Sequence, residues 1–149
     1  MMKRKIISVI IVLILGFILV LRLRGKGEVS LTNKISSYLN NSNNYEIISV
    51  EEMDINKPPI VVDIVRGTDK ESIADVLDNS KIRFIRNEIG LEITSSLYTL
   101  TVSSDDLPII ITVNNKNEIH FNSDETTYVI TNGYDLYQEL CSVFSNNTE

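Results

Sequence analysis

The residues best suited to acid–base or nucleophilic chemistry are few, because the 149-residue sequence contains one histidine and one cysteine. His120 stands between Ile119 and Phe121, and strand alternation predicts that its side chain faces solvent. A second histidine for metal ligation is absent from the sequence. Cys141 falls on an apolar helical stripe, where burial suppresses thiol reactivity. We interpret His120 as a surface residue and Cys141 as a core residue.

Motifs of the common enzyme classes are absent from the sequence. The six glycines form neither a Walker pattern nor a dinucleotide-binding pattern, and no G-x-S-x-G motif is present. We therefore assign no catalytic, cofactor-binding or metal-binding residue, and we expect a protein that is not an enzyme and has no cofactor.

Acidic side chains are the remaining candidates for chemistry. They cluster at Glu51-Glu52-Asp54, Asp105-Asp106 and Asp124-Glu125. Each cluster is smaller than a calcium loop, which supplies six to eight oxygen ligands, and two clusters lie in predicted turns that favour Asp. We interpret them as solvated turns, with weak calcium binding as the alternative. Paired carboxylates for glycoside hydrolysis stay open as a second possibility.

The charge is divided sharply along the chain. The first 26 residues carry six basic side chains and no acidic one, whereas residues 28–149 carry 20 acidic and eight basic side chains, a formal charge of −12. Such a charge argues against nucleic acid as a partner, because phosphate binding requires a basic surface. A protein partner is expected to present a basic contact face.

The N-terminal segment has the pattern of a membrane anchor. Residues 6–21 are sixteen uncharged, mostly apolar residues between basic flanks, and residues 6–23 are predicted to form a transmembrane helix. Small residues typical of signal-peptide cleavage do not follow the run, which favours an uncleaved anchor over residues 1–26. We expect a single-pass protein of the cell membrane with an acidic α+β domain, residues 27–149, outside the cytoplasm.

The pattern of apolar residues predicts the elements of this domain. We expect a short helix within residues 28–44, strands at 45–50, 59–65 and 81–86, a helix at 68–78, a four-stranded antiparallel meander at 97–131 and a closing helix at 133–145. Thr68 and Glu71 have the spacing of a capping box at the start of the second helix. The predicted fold is α+β, with an N-terminal transmembrane helix and a meander sheet covered by helices.

The meander ends in TTYVIT and is followed by the amphipathic stretch NGYDLYQELCSVF. This order resembles small uncharacterised, membrane-anchored exported domains of Gram-positive bacteria over residues 59–144. The resemblance implies no activity and no functional residues.

The function expected from these features is a non-enzymatic, membrane-anchored, extracytoplasmic interaction module. We expect this module to contact the membrane through residues 6–23 and to bind a protein partner that has a basic contact face. We do not expect it to bind nucleic acid. Two alternatives stay open: a small envelope hydrolase that uses paired carboxylates, and a cytoplasm-facing regulator with reversed topology.

Overall fold

The computed structural model of the protein describes residues 14–16, 27–40, 42, 44–64, 66–87, 91, 96–104 and 107–148. The strands in these ranges are β1 (Val29–Ser30), β2 (Glu46–Met53), β3 (Ile60–Asp63), β4 (Lys81–Arg86), β5 (Leu97–Ser104), β6 (Leu107–Val113), β7 (Glu118–Phe121) and β8 (Thr127–Ile130). The helices are α1 (Leu31–Tyr38), α2 (Gly67–Asn79) and α3 (Leu136–Thr148). Residues 14–16 are also helical.

The strands form one antiparallel sheet of eight strands in the order β1-β4-β8-β7-β6-β5-β2-β3. The four-stranded meander predicted at residues 97–131 is present as β5 to β8. β4 pairs with β8 on one side of the meander, and the β2–β3 hairpin joins β5 on the other side. Among the described strands, β1 and β3 therefore form the two edges of the sheet.

The core lies between one face of the sheet and the three helices. Along β6, Ile109, Ile111 and Val113 are buried while Ile110 is exposed, which is the alternation expected of a sheet covered on one face. Fully buried residues of the helices pack into the same cluster as those of the strands; they are Leu31, Ile35, Ile73, Leu77, Leu136 and Leu140. This shared apolar burial is the main source of stability for the fold.

The starts of α2 and α3 differ in how they are capped. The capping box predicted at Thr68 is wrong, because α2 begins at Gly67 and its N-cap residue, Arg66, makes no side-chain capping bond. At α3, the Asp135 carboxylate accepts a hydrogen bond from the Gln138 N–H at 3.0 Å, which satisfies one of the free amides at the helix start.

The fold class predicted from the sequence is wrong in two respects. The sheet has eight strands rather than a four-stranded meander, because β4 and β1 extend it on one side and the β2–β3 hairpin extends it on the other. In the described part of the chain, no helix is long and apolar enough to cross a membrane. This finding contradicts the predicted transmembrane helix and the predicted single-pass location at the cell membrane.

The predicted anchor also has a physical weakness in its length. Its uninterrupted apolar run of sixteen residues is about 24 Å long as a helix, shorter than a hydrocarbon core of about 30 Å. Of the predicted span at residues 6–23, residues 14–16 are described and the others lie outside the described residues. The predicted location outside the cytoplasm was inferred from this anchor, so that prediction is wrong for the same reason.

Candidate functional site

His120 lies in β7 opposite Thr112 of β6, on the face of the sheet that points away from the helices. The alternation with buried Ile119 and Phe121 assigned this face correctly. The ring is nevertheless half-buried, and its Nδ1 atom is buried without a hydrogen-bond partner. His120 pairs with Thr112 of β6 and Thr127 of β8, and the pattern of a single strand could not reveal these neighbours on both sides.

Cys141 is half-buried in α3 and packs against the core cluster, close to Tyr98. The Tyr98 hydroxyl donates a hydrogen bond of 3.2 Å to Glu52 Oε1. Burial, followed by interactions with Cys141 and Glu52, raises the pKa of Tyr98, so the phenol stays neutral at ordinary pH. The thiol is thus part of the packing between α3 and β5.

Asp124 belongs to a tertiary cluster that we call the Asp124 cluster, formed with Lys34, Tyr38 and Tyr128. The hydroxyls of Tyr38 and Tyr128 both donate to Asp124 Oδ2, at 2.6 and 2.9 Å. Lys34 Nζ lies 3.3 Å from the same oxygen and 4.7 and 5.0 Å from the centres of the Tyr38 and Tyr128 rings. The carboxylate therefore joins α1 to the turn between β7 and β8.

The ionisation of the Asp124 cluster follows from these contacts. Burial opposes the charge on Asp124, but hydrogen bonds from Thr126, Tyr38, Tyr128 and Lys34 outweigh it and lower the pKa of the carboxyl. Burial and the bond to Asp124 raise the pKa of Tyr38. Asp124 Oδ2 therefore accepts hydrogen bonds from two hydroxyl groups and lies beside one ammonium group.

The predicted acidic clusters do not converge on a metal site within the described residues. No group of three or more His, Cys, Asp or Glu side chains there could hold a metal ion. Glu51 and Glu52 are consecutive in β2 and point to opposite faces of the sheet. Asp54 instead accepts a hydrogen bond from the Asn56 N–H in the hairpin turn. Asp105 and Asp106 lie outside the described residues.

A groove of about 390 Å³ lies between α1, β2 and α2. Its lining is Thr32, Tyr45, Glu46, Ile47, Lys70, Glu71, Ala74 and Asp78. Lys70 Nζ and Glu46 Oε1 form an ion pair of 2.7 Å there, and the Thr32 hydroxyl donates to Asp78 Oδ1 at 2.8 Å. The polar groups of the groove are thus bonded mainly to one another.

The β2–β3 hairpin carries an unusual concentration of exposed apolar side chains. Ile55 in the turn is 71% exposed, and Ile60 and Val61 of β3 are 45% and 58% exposed. No described strand pairs with the outer side of β3. We call this side, with the side chains of Ile60, Val61, Val62 and Asp63, the β3 edge.

One hydrogen bond shows which backbone groups the β3 edge presents. The Ile64 N–H donates to the Ile48 carbonyl at 2.9 Å, so the amide of residue 64 faces β2. Antiparallel ladders alternate with a period of two residues. The backbone groups of Ile60 and Val62 therefore face β2, and those of Val61 and Asp63 face outward.

The hairpin is also acidic. Residues 46–63 contain five acidic side chains against one basic side chain, Lys57, a formal charge of −4. Glu46 and Asp54 have ion-pair partners in Lys70 and Lys57. Glu51 and Asp63 have no Lys or Arg partner among the described residues, so their charges are free to meet a ligand.

The sequence predicted the strand at 59–65 from its β-branched residues but not its position at an edge. Two signals in the sequence are consistent with that position. Pro58 and Pro59 stand at the start of the strand, and Asp63 interrupts its apolar run. The β3 edge is the candidate functional site, because it combines unpaired backbone, exposed apolar side chains and free carboxylates.

Comparison with known proteins found no family model, no curated protein and no solved structure that matches this chain. The assignment of function therefore depends on the geometry and chemistry of the β3 edge.

Proposed function

We propose that this protein is a non-enzymatic interaction module that binds a protein partner with a basic contact face through the β3 edge. The observation that carries the proposal is the exposure of Ile60 and Val61 on an unpaired edge strand of an acidic hairpin. These two side chains lie on opposite faces of the sheet, so the unpaired strand offers apolar contacts on both of its faces to a bound segment.

The residue types of β3 leave its outer edge open to binding. In many proteins, a lysine or a proline in the middle of an edge strand prevents that strand from pairing with another strand. Within β3 neither residue is present; its one charged residue is Asp63, at the end of the strand. The strand is short, which limits uncontrolled association, yet its apolar side chains and outward amides are accessible.

The sign of the charge supports a basic partner. The hairpin has a formal charge of −4 within a region, residues 28–149, of −12. A basic surface is attracted to such a field, and an acidic surface, including a second copy of this hairpin, is repelled. The apolar side chains then contribute contact area, and the carboxylates contribute orientation.

Site-specific photo-cross-linking in the cells that produce the protein tests the proposal. A photo-reactive amino acid at Val61 is expected to capture one protein, whereas the same amino acid at exposed Ser142, on α3, captures none. The captured protein is identified by mass spectrometry and purified, because capture alone does not establish binding.

Binding of the purified partner is then expected to weaken as salt increases, since exposed charges are screened within about 10 Å at 0.1 M salt. The pair Glu51→Gln and Asp63→Asn is expected to weaken it about five-fold or more. The matched pair Glu125→Gln and Glu139→Gln removes the same charge elsewhere and leaves binding nearly unchanged. A Val61 adduct with a second copy, equal capture at both positions, or binding insensitive to charge would contradict the proposal.

A further inference from the structure

We infer that the partner of the β3 edge binds as an added antiparallel β-strand, in which basic side chains occupy the face of the sheet that carries Val61 and Asp63. This inference rests on the proposed function and specifies its mode of binding. The described strands are all paired antiparallel, and β3 is a terminal strand with a free outer side.

The backbone of β3 is prepared for such pairing. Val61 and Asp63 present their N–H and C=O groups outward, as the bond between Ile64 and Ile48 requires. These two residues supply four main-chain hydrogen-bonding groups. Main-chain bonds to an exposed edge contribute affinity in strand addition, and alternate side chains contribute specificity.

The side chains determine the pattern of the ligand. In an antiparallel pair, residues directly opposite each other have their side chains on the same face. Partner residues opposite Val61 and Asp63 therefore lie on the face that also carries Glu51, which is the direct neighbour of Val61 in β2. Lysine or arginine fits these positions, since Glu51 and Asp63 lack ion-pair partners among the described residues.

The alternate partner residues lie on the opposite face, next to Ile60 and Val62. Ile60 is 45% exposed and Val62 is half-buried, so apolar side chains added there would cover them. The expected ligand is thus an extended segment in which basic and apolar residues alternate. Pairing of two β3 edges is disfavoured, because it would bring two hairpins of charge −4 together.

The test uses the full-length chain and a fluorescent, blocked heptapeptide of alternating lysine and valine, whose affinity is measured by fluorescence anisotropy. In the inferred geometry, the amides of the lysine residues face β3 and those of the valine residues face away. N-methylation of the lysine amides is expected to weaken binding about ten-fold or more, and N-methylation of the valine amides by less than about three-fold.

A change in the protein provides a second measurement. Val61→Pro removes an outward N–H without breaking a bond to β2, and is expected to weaken peptide binding about ten-fold or more. Far-ultraviolet circular dichroism and thermal unfolding show whether the Val61→Pro variant is folded. If the variant is not folded, the methylated peptides test strand addition with the wild-type protein. A matched peptide of alternating glutamate and valine is expected not to bind.

Three results would overturn strand addition: no saturable binding of the lysine–valine peptide, equal effects of the two methylation patterns, or full affinity in a folded Val61→Pro variant. In each case, a photo-cross-link from position 61 to a basic partner would still support the proposed function. Failure of strand addition is therefore distinguishable from failure of the proposed function. Formation of dimers at rising protein concentration would instead identify a second copy as the occupant and overturn the inference.

Discussion

Tyr38 and Asp124 are 86 residues apart in sequence, and the Tyr38 hydroxyl donates a hydrogen bond of 2.6 Å to Asp124 Oδ2. Tyr128 donates to the same oxygen from β8, and the Tyr38 and Tyr128 rings both contact Phe121. One carboxylate oxygen thus connects α1 with the turn between β7 and β8. This contact and comparable ones lead to five predictions on stability.

Asp124→Asn is expected to lower the free energy of unfolding by about 1–3 kcal/mol at pH 7, because it weakens charge-assisted hydrogen bonds in a half-buried setting. Urea unfolding measures the change. Glu125→Gln, at the adjacent exposed residue, is the matched control and is expected to change stability by less than about 0.5 kcal/mol. Equal effects of the two substitutions would show that the Asp124 cluster does not stabilise the fold.

The contribution of Asp124 is expected to depend on pH. Its pKa is lower in the folded protein than its ordinary value of 3.8, so its contribution is present above that value and is lost as pH falls toward the folded-state pKa. The difference in stability between the unchanged protein and Asp124→Asn should therefore shrink below pH 3.8. Urea unfolding over a series of acidic pH values checks this, and a constant difference would refute it.

Tyr38→Phe and Tyr128→Phe are each expected to cost about 0.5–1.5 kcal/mol. Because both hydroxyls donate to one oxygen, the double variant should differ from the sum of the single variants by about 0.5 kcal/mol or more. A double-mutant cycle by thermal or urea unfolding measures this coupling. Tyr134→Phe, at a 37% exposed residue, should combine additively with either change.

Asn147→Ala is expected to destabilise the protein by about 1–3 kcal/mol, because Asn147 Nδ2 donates to Asp69 Oδ2 at 2.8 Å and Asp69 is only 8% exposed. The same nitrogen donates to the Val143 carbonyl within α3, and its bond to Asp69 holds α2 against the end of α3. Asn146→Ala, at the exposed neighbour, should have little effect in the same unfolding assay. If both changes were neutral, this contact would not hold the helices together.

Leu140→Ala is expected to lower stability by about 2–5 kcal/mol, because Leu140 is fully buried where α3 packs on the sheet and its removal leaves a cavity. Ser142→Ala, two residues away on the exposed side of α3, should change stability by less than about 0.5 kcal/mol. Chemical unfolding compares them, and similar values would contradict the orientation of α3.

The candidate site was visible in the sequence only in part. The β-branched run at 59–65 predicted a strand, and the excess of acidic residues after residue 27 predicted a basic partner, which stays a prediction. Neither pattern indicated that Ile60 and Val61 would be exposed, because burial of a strand depends on which strands flank it. Asp124 was interpreted as a solvated turn residue, since its phenolic partner Tyr38 is distant along the chain.

The sequence by itself determined the local elements, because apolar spacing, turn residues and charge act over a few neighbouring positions. It placed β4 at residues 81–86 and the meander at 97–131, in agreement with the structure, whereas the predicted transmembrane helix was wrong. Tertiary structure alone decided that β4 pairs with β8, that β2 extends the meander and that β3 is left at an edge. These pairings join residues far apart in sequence, and their free energy comes from packing that no local pattern contains.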